Sequence, residues 1–197
     1  MPEFPRRDPA DPQFWDLRYQ ANFAPWDAGR VPAQLAEFAK GPRGRVLVPG
    51  CGSAWDVRCF VESGWEVLGI DFSEEALAAA RPVLGPHAER VRRADFFSPI
   101  PEGPFDVVYE RAFLCALPRR LWSAWSARVS ELVRPYGHLV GVFYFDETER
   151  GPPFPLHDDT ELAGLLASTF TRIVDAPVPD SIPVFQGKER WQVWQRR

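Results

Sequence analysis

Short apolar runs alternate with amphipathic stretches along most of this chain. Val46-Leu47-Val48 has the length and β-branched content of a buried strand, and Pro49-Gly50-Cys51-Gly52 breaks it. Trp55, Val57, Phe60 and Val61 follow at spacings that line one side of a helix, with Ser53 placed to cap it and Gly64 to stop it. Trp65 to Ile70 reads as a second strand ending in Asp71. The stretch from Arg45 to Ser73 is therefore one βαβ unit, with glycines at its first turn and a carboxylate at the tip of its second strand.

The alternation continues downstream. Ser73 caps a helix whose first turn carries Glu74 and Glu75, where the helix dipole favours negative charge, and Pro82 is expected to stop it after about Arg81. Val91 belongs to a short third strand closed by Ala94-Asp95-Phe96-Phe97, and Phe105 to Tyr109 is a fourth, ending at Glu110-Arg111. From Pro118 to Val133, Leu121, Trp125, Val129 and Leu132 recur at helical spacing; Pro135-Tyr136-Gly137 then turns the chain into a fifth strand, His138 to Phe145. A rigid loop from Gly151 to Pro155 precedes a helix from Asp158 or Asp159 to Phe170. Arg172 to Ala176 and Trp191 to Gln195 read as two last strands able to pair as a hairpin across a long connection. Upstream, a helix from about Pro12 to Gln20, capped by Asp11, puts Trp15 and Tyr19 on one face. Pro25-Trp26-Asp27 is a turn, and Pro32 to Ala39 is a second helix ended by Gly41-Pro42. With Pro2, Pro5, Pro9 and Pro12, residues 1–12 read as a mobile arm without contacts, leaving 13–197 as one domain. Its first part, 13–40, is either a helical segment docked on the core or a lid over the site.

The 197 residues suit one core, and 45% hydrophobic content is that of a soluble globular chain. With 23 basic and 27 acidic side chains the formal charge is -4, which gives no electrostatic footprint for nucleic acid or anionic lipid. No run approaches a membrane span, and the N-terminus lacks the apolar stretch of a signal peptide. Cys51, Cys59 and Cys115 are scattered, without metal-ligand spacing, so the expectation is a metal-free protein of the reducing cytoplasm, a monomer acting on a small molecule.

Glycine lets backbone approach a nucleotide closely, and an acid at the second strand tip accepts two ribose hydroxyls. A dinucleotide fingerprint would place a third glycine where this chain has Trp55. That indole disfavours a pyrophosphate and favours a smaller ligand over the turn. S-adenosylmethionine, with adenosine and an amino-acid tail but no phosphate, meets the description; a nucleotide-like turn without any ligand is the alternative.

The order of strands, turns and tips is that of class I methyltransferases, and the chain resembles the thiopurine S-methyltransferase family, including its bacterial members and the plant thiol and halide methyltransferases. The resemblance rests on F-W-D-x-R-Y around Trp15, P-W-D at Trp26, V-L-V-P-G-C-G, G-I-D-F-S, A-D-F-F, F-D-V-V-Y-E-R-A-F-L-C-A-L-P and G-P-P-F. It spans roughly Phe14 to Phe170 and is weakest from Val174 onward. It implies a Rossmann-like α/β fold: a mostly parallel sheet with an antiparallel last strand, helices on both faces and an N-terminal helical lid. It also implies S-adenosylmethionine as cofactor, bound by Trp15, Trp26, Gly50, Cys51, Gly52, Asp71, Phe72, Ser73, Asp95, Phe96, Glu110 and Arg111. Within that set Asp71 takes the ribose, Phe72, Asp95 and Phe96 the adenine, Gly50 and Gly52 the methionine part, and Trp26 covers the sulfonium. Some family members carry Glu where this chain has Asp71, and either acid can accept two hydroxyls.

A soft nucleophile such as a thiolate or halide has no proton to lose in the transition state, and the sequence shows no obvious base. His87 falls in a Pro-rich loop and His138 in a strand; His157, just after G-P-P-F, is the one that could border a pocket. Arg111 is the candidate catalytic residue, a fixed cation beside an anionic acceptor; a salt bridge to Glu110 or another acid is its structural alternative. Cys115, between Leu114 and Ala116, reads as a small buried side chain. The expected activity is methyl transfer to a thiol, a thiopurine, or a selenium, tellurium or halide species. Transfer to oxygen or nitrogen with a base, or cofactor binding without catalysis, are the alternatives.

Overall fold

A computed structural model describes residues 2–148 and 150–197. Among them seven strands form one sheet: β1 Arg45–Pro49, β2 Glu66–Asp71, β3 Val91–Arg93, β4 Phe105–Arg111, β5 Val133–Tyr144, β6 Phe170–Pro177 and β7 Glu189–Arg196. Their order is β3-β2-β1-β4-β5-β7-β6. Pairs from β3 to β5 are parallel, whereas β7 runs antiparallel to both β5 and β6. The chain crosses from one half of the sheet to the other between β1 and β4. At such a reversal the loops leaving the strand ends diverge and open a crevice.

Helices α1 Pro12–Gln20, α2 Ala33–Phe38, α3 Trp55–Glu62, α4 Glu74–Leu84, α5 Trp122–Leu132 and α6 Asp159–Leu166 surround the sheet. Successive strand residues point to opposite faces, and the core divides accordingly. Val46, Val48, Val107, Tyr109, Val140 and Val142 pack with α2, α3 and α4; Leu47, Val108, Leu139 and Phe143 pack with α5 and α6. Trp125 of α5 is fully buried in the second layer, and truncating it to Ala would cost about 3–5 kcal/mol.

Several local expectations differ from the structure. Pro82 lies inside α4, which continues to Leu84 and ends at Gly85. Leu84 is buried, and its packing outweighs the one backbone bond that proline cannot donate. Ser53 does not cap α3: the N-cap is Ala54, in left-handed conformation (φ 64°), without a side-chain cap. β5 starts at Val133 directly after α5, because Val133 pairs with Phe105 of β4. α6 stops at Leu166, and Phe170 opens β6, buried against the second layer. The final hairpin forms as expected, with Trp191 opposite Ala176 and Trp194 opposite Arg172. Among the described residues no helix is long and apolar enough to cross a membrane.

Candidate active site

The carboxyl ends of β1, β2 and β4 deliver Gly50, Asp71 and Arg111 to one cavity of about 1060 Å³. Gly50 (φ +57°) and Gly52 (φ +51°) make the turn after β1. A Cβ at Gly50 would run into the Phe113 ring, and one at Gly52 would lie 2.8 Å from the Tyr19 hydroxyl. The turn thus needs glycine for its conformation and for the aromatic rings closing on it.

Asp71 is buried at the cavity wall. One carboxylate oxygen accepts the Gly52 amide at 3.0 Å and the other the Ser73 amide at 2.9 Å. Burial pushes its pKa up to about 6, against the pull of those amides. Each oxygen still has capacity for a donor. A pair of vicinal hydroxyls would supply the missing donors, so this acid fits a ribose. The volume fits a nucleoside-sized molecule with a second small one beside it, since pockets for one drug-sized ligand run to about 300–1,000 Å³.

Trp15, Trp26, Gly50, Cys51, Gly52, Asp71, Phe72, Asp95, Phe96 and Arg111 all line this cavity. Trp15 and Trp26 meet edge to face at 5.4 Å, and Tyr19 meets Trp26 at 6.0 Å. Tyr19, with its pKa raised chiefly by burial and by Asp71, remains a neutral phenol. Phe96 packs its ring against Phe97 and Phe113. The Asp95 carboxylate accepts the Phe97 amide at 3.0 Å. Cys51 and Cys115 line the wall too, both with thiol pKa values raised by burial.

Ser73 and Glu110 stand apart from the wall. Ser73 is fully buried and caps α4, accepting the Ala76 amide at 3.0 Å while its hydroxyl donates to Asp16 of α1 at 2.6 Å. Glu110 is buried behind the wall and accepts the amides of Phe113 and Leu114, each at 2.9 Å. Arg111 faces the cavity but is not a free cation. Its Nη1 donates to Asp56 at 3.0 Å and to the Arg30 carbonyl at 3.1 Å. Burial would lower the Arg111 pKa; Asp56 foremost, with Tyr109 and Glu189, outweighs that and raises it. The ion-pair partner is thus Asp56 of α3 rather than the neighbouring Glu110. His157 sits against Arg119 at 3.0 Å, with its amide on Glu161, and is absent from the cavity lining, as are His87 and His138.

Tyr19, Asp56, Phe113, Phe185 and the arm also reach the cavity, beyond the site residues expected from the sequence. Tyr19 carried a signal, since it shares a helix face with Trp15. Phe185 carried none, as it comes from the irregular connection between β6 and β7. The arm is no contact-free tail. Asp8 pairs with Arg120, Pro9 accepts the Trp15 indole at 2.8 Å, and Phe4 lies 5.6 Å from Phe23.

Residues 10–197 match the family model of thiopurine S-methyltransferase. The chain is 32% identical over 190 residues to thiocyanate methyltransferase 1 of Arabidopsis thaliana, covering 92% of this chain and 84% of that one. It is 29% identical over 184 residues to thiopurine S-methyltransferase of Pseudomonas fluorescens, covering 82% and 84%. In fold it is similar to a Burkholderia thailandensis 1,6-didemethyltoxoflavin N1-methyltransferase whose structure contains that compound and S-adenosylhomocysteine. The TM-score is 0.76 at 21% identity, covering 99% of this chain and 93% of that one. The chain belongs to the thiopurine S-methyltransferase family, and it is an S-adenosylmethionine-dependent methyltransferase of class I fold.

Proposed function

We propose that the enzyme methylates a small, soft nucleophile that arrives as an anion, a thiolate above all. The observation that carries this reading is the state of the titratable groups around the cavity. The Asp56 carboxylate is engaged by Arg111, Asp71 by two backbone amides, Asp95 by Phe97 and Asp27 by the Gly29 amide at 2.8 Å. Tyr19, Cys51 and Cys115 keep their protons because burial raises their pKa values, and all three histidines lie elsewhere. Among the described residues, a nucleophile with a proton to lose would find no unengaged base here, whereas a thiolate needs none.

When bound, the cofactor supplies a methyl group on a sulfonium, open to in-line displacement by the acceptor. The chain's work is positioning and exclusion of water. In this reading Asp71 accepts the ribose hydroxyls, and the backbone at Gly50, Cys51 and Gly52 holds the amino-acid part. Phe72, Asp95 and Phe96 flank the adenine. Trp15, Trp26 and Tyr19 present aromatic faces suited to a sulfonium cation. Arg111, its charge largely answered by Asp56, orients the acceptor more than it activates it. The enzyme works in this scheme as a cytoplasmic monomer.

The test is the pH dependence of methyl transfer to thiols of graded acidity, followed by S-adenosylhomocysteine formation. The apparent pKa at low acceptor concentration is expected to move with the acceptor's own pKa and to survive His157→Gln. An ionisation common to every acceptor and abolished by one side-chain replacement would mean a general base, and an oxygen or nitrogen acceptor would take the thiolate's place. Tight cofactor binding with no turnover on any acceptor would point instead to a non-catalytic role.

A further inference from the structure

The turn following β4 forms one wall of the cavity, and what fixes it lies behind that wall. Ala112 holds a left-handed conformation, φ 57°, that a non-glycine residue adopts only under constraint. Its neighbours are Arg111, paired with Asp56, and Phe113, whose ring closes on Gly50. Glu110 anchors the two residues that follow Ala112. One oxygen of this buried carboxylate, Oε1, takes both the Phe113 and the Leu114 amides at 2.9 Å. Beside it runs β5, which carries Gly141 at the point where any Cβ would collide with the Glu110 backbone.

The other oxygen, Oε2, is buried and has no hydrogen-bond partner among the described residues. Glutamine would fill the same space and offer the same acceptor at less cost, because a buried carboxylate pays for desolvation. Burial above all, and then the Asp56 charge, press the Glu110 pKa up to about 7 against the two amides that pull it down. The titratable groups that couple to it electrostatically include Asp56 at the start of α3, the buried Tyr109 phenol beside it on β4 and the Cys115 thiol in the short helical turn Leu114–Ala116. A buried acid with one unpartnered oxygen, behind the cavity wall and on its backbone amides, points to a task beyond folding.

We propose that Glu110 is a positioning residue for the cofactor: its ionised carboxylate, acting through the Phe113 and Leu114 amides, holds the Arg111–Leu114 turn in the shape that walls the binding cavity. This rests on the cofactor reading of the cavity, and it assigns Glu110 an indirect role in place of cofactor contact. Charge-assisted bonds to backbone amides are stronger than those of a neutral acceptor. Protonation therefore loosens the turn without breaking it.

The experiment titrates S-adenosylhomocysteine into the full-length chain, wild type, Glu110→Gln and Glu110→Ala, at pH 8 and pH 6. Amide exchange at Phe113 and Leu114 is followed in parallel without ligand. At pH 8, Glu110→Ala is expected to lose roughly tenfold in affinity or more, with fast exchange at both amides. Glu110→Gln should keep exchange slow and lose a few-fold. The wild-type advantage over Glu110→Gln should then shrink towards one at pH 6, where the wild-type carboxyl is protonated. That ratio cancels the titration of Asp71, which is common to both proteins, and it stands even if the Ala variant fails to fold. Equal affinity of wild type and Glu110→Ala at pH 8, or an undiminished Gln deficit at pH 6, would overturn the proposal. A wild type that binds no S-adenosylhomocysteine would overturn the cofactor reading instead, and the exchange comparison would still decide whether Glu110 holds the turn.

Discussion

Asp71 shows how one side chain is assigned by two levels of information. Its place at the end of an apolar run nominates it; its environment gives it a reason to bind. The carboxylate is buried, has one amide on each oxygen, and titrates at about 6 rather than in the usual acid range. In the proposed ribose site the hydroxyls would donate to the ionised form, so S-adenosylhomocysteine affinity should rise as pH climbs through about 6. At pH 7.5, Asp71→Ala should weaken binding by about 1.5–3 kcal/mol, the range for hydrogen bonds to a charged group, without loss of fold. Calorimetry showing unchanged affinity would take Asp71 out of the ribose site.

At the scale of elements, the N-terminal segment is tied to the domain through α1 and through the arm ahead of it. The Asp16 carboxylate of α1 accepts both the Ser73 hydroxyl and the Glu75 amide at 3.3 Å, completing the N-terminus of α4. Residues ahead of α1 then fold back over the cavity. The Arg18 guanidinium sits 4.5 Å from the Phe4 ring and 3.4 Å from the Phe14 ring, and Asp8 reaches Arg120 beside the cavity. Proline count alone gave this stretch the reading of an arm carrying no contact, and by that reading its removal would be silent. With the packing in view, deleting residues 1–10 should weaken S-adenosylhomocysteine binding about fivefold, on the order of the 1 kcal/mol that a cation–π contact contributes. It should also speed amide exchange in α1. Titration and exchange on the truncated chain check both, and an unaltered affinity would restore the idle arm.

The whole molecule carries its charge in two kinds of place, and they pull stability in opposite directions with pH. Asp106, Asp146, Asp158 and Asp159 lie at or near the surface, and their partners lower their pKa values. Stability from such groups is lost as pH falls below the ordinary acid range and is screened by solvent. Asp56, Asp71, Glu110 and Glu189 are raised, each chiefly by burial. A group raised in the folded state favours folding when protonated, and that contribution disappears as pH rises from its unfolded value through the folded one, here to about 7 for Glu110. Ligand-free protein should accordingly melt at a higher temperature near pH 5 than at pH 8. S-adenosylhomocysteine should raise the melting temperature more at pH 8, by supplying donors to ionised Asp71. Scanning calorimetry at constant ionic strength checks both, and a ligand-free melting temperature that rises from pH 5 to pH 8 would contradict the assignment.

Apolar period and turn chemistry determined much of this protein unaided. The runs at Val46, Trp65, Phe105 and His138 became strands of one sheet, and Gly50, Gly52 and Asp71 came to the tips of the first two, because strand ends follow from where apolar runs stop. Family motifs then identified the chemistry. Tertiary structure decided what pattern cannot encode: that Pro82 stays inside α4 because Leu84 is buried, that Arg111 finds Asp56 rather than Glu110, and that Glu110 faces backbone amides instead of the cavity. It also brought Phe185, from an irregular connection, and Phe4, from the proline-rich arm, to the same cavity as the glycine turn. Local sequence specifies backbone preference and the side of an element that is apolar. Which charges meet, and which loops close over a site, depends on distances between segments far apart in the chain, and only the packed sheet with its helices sets those distances.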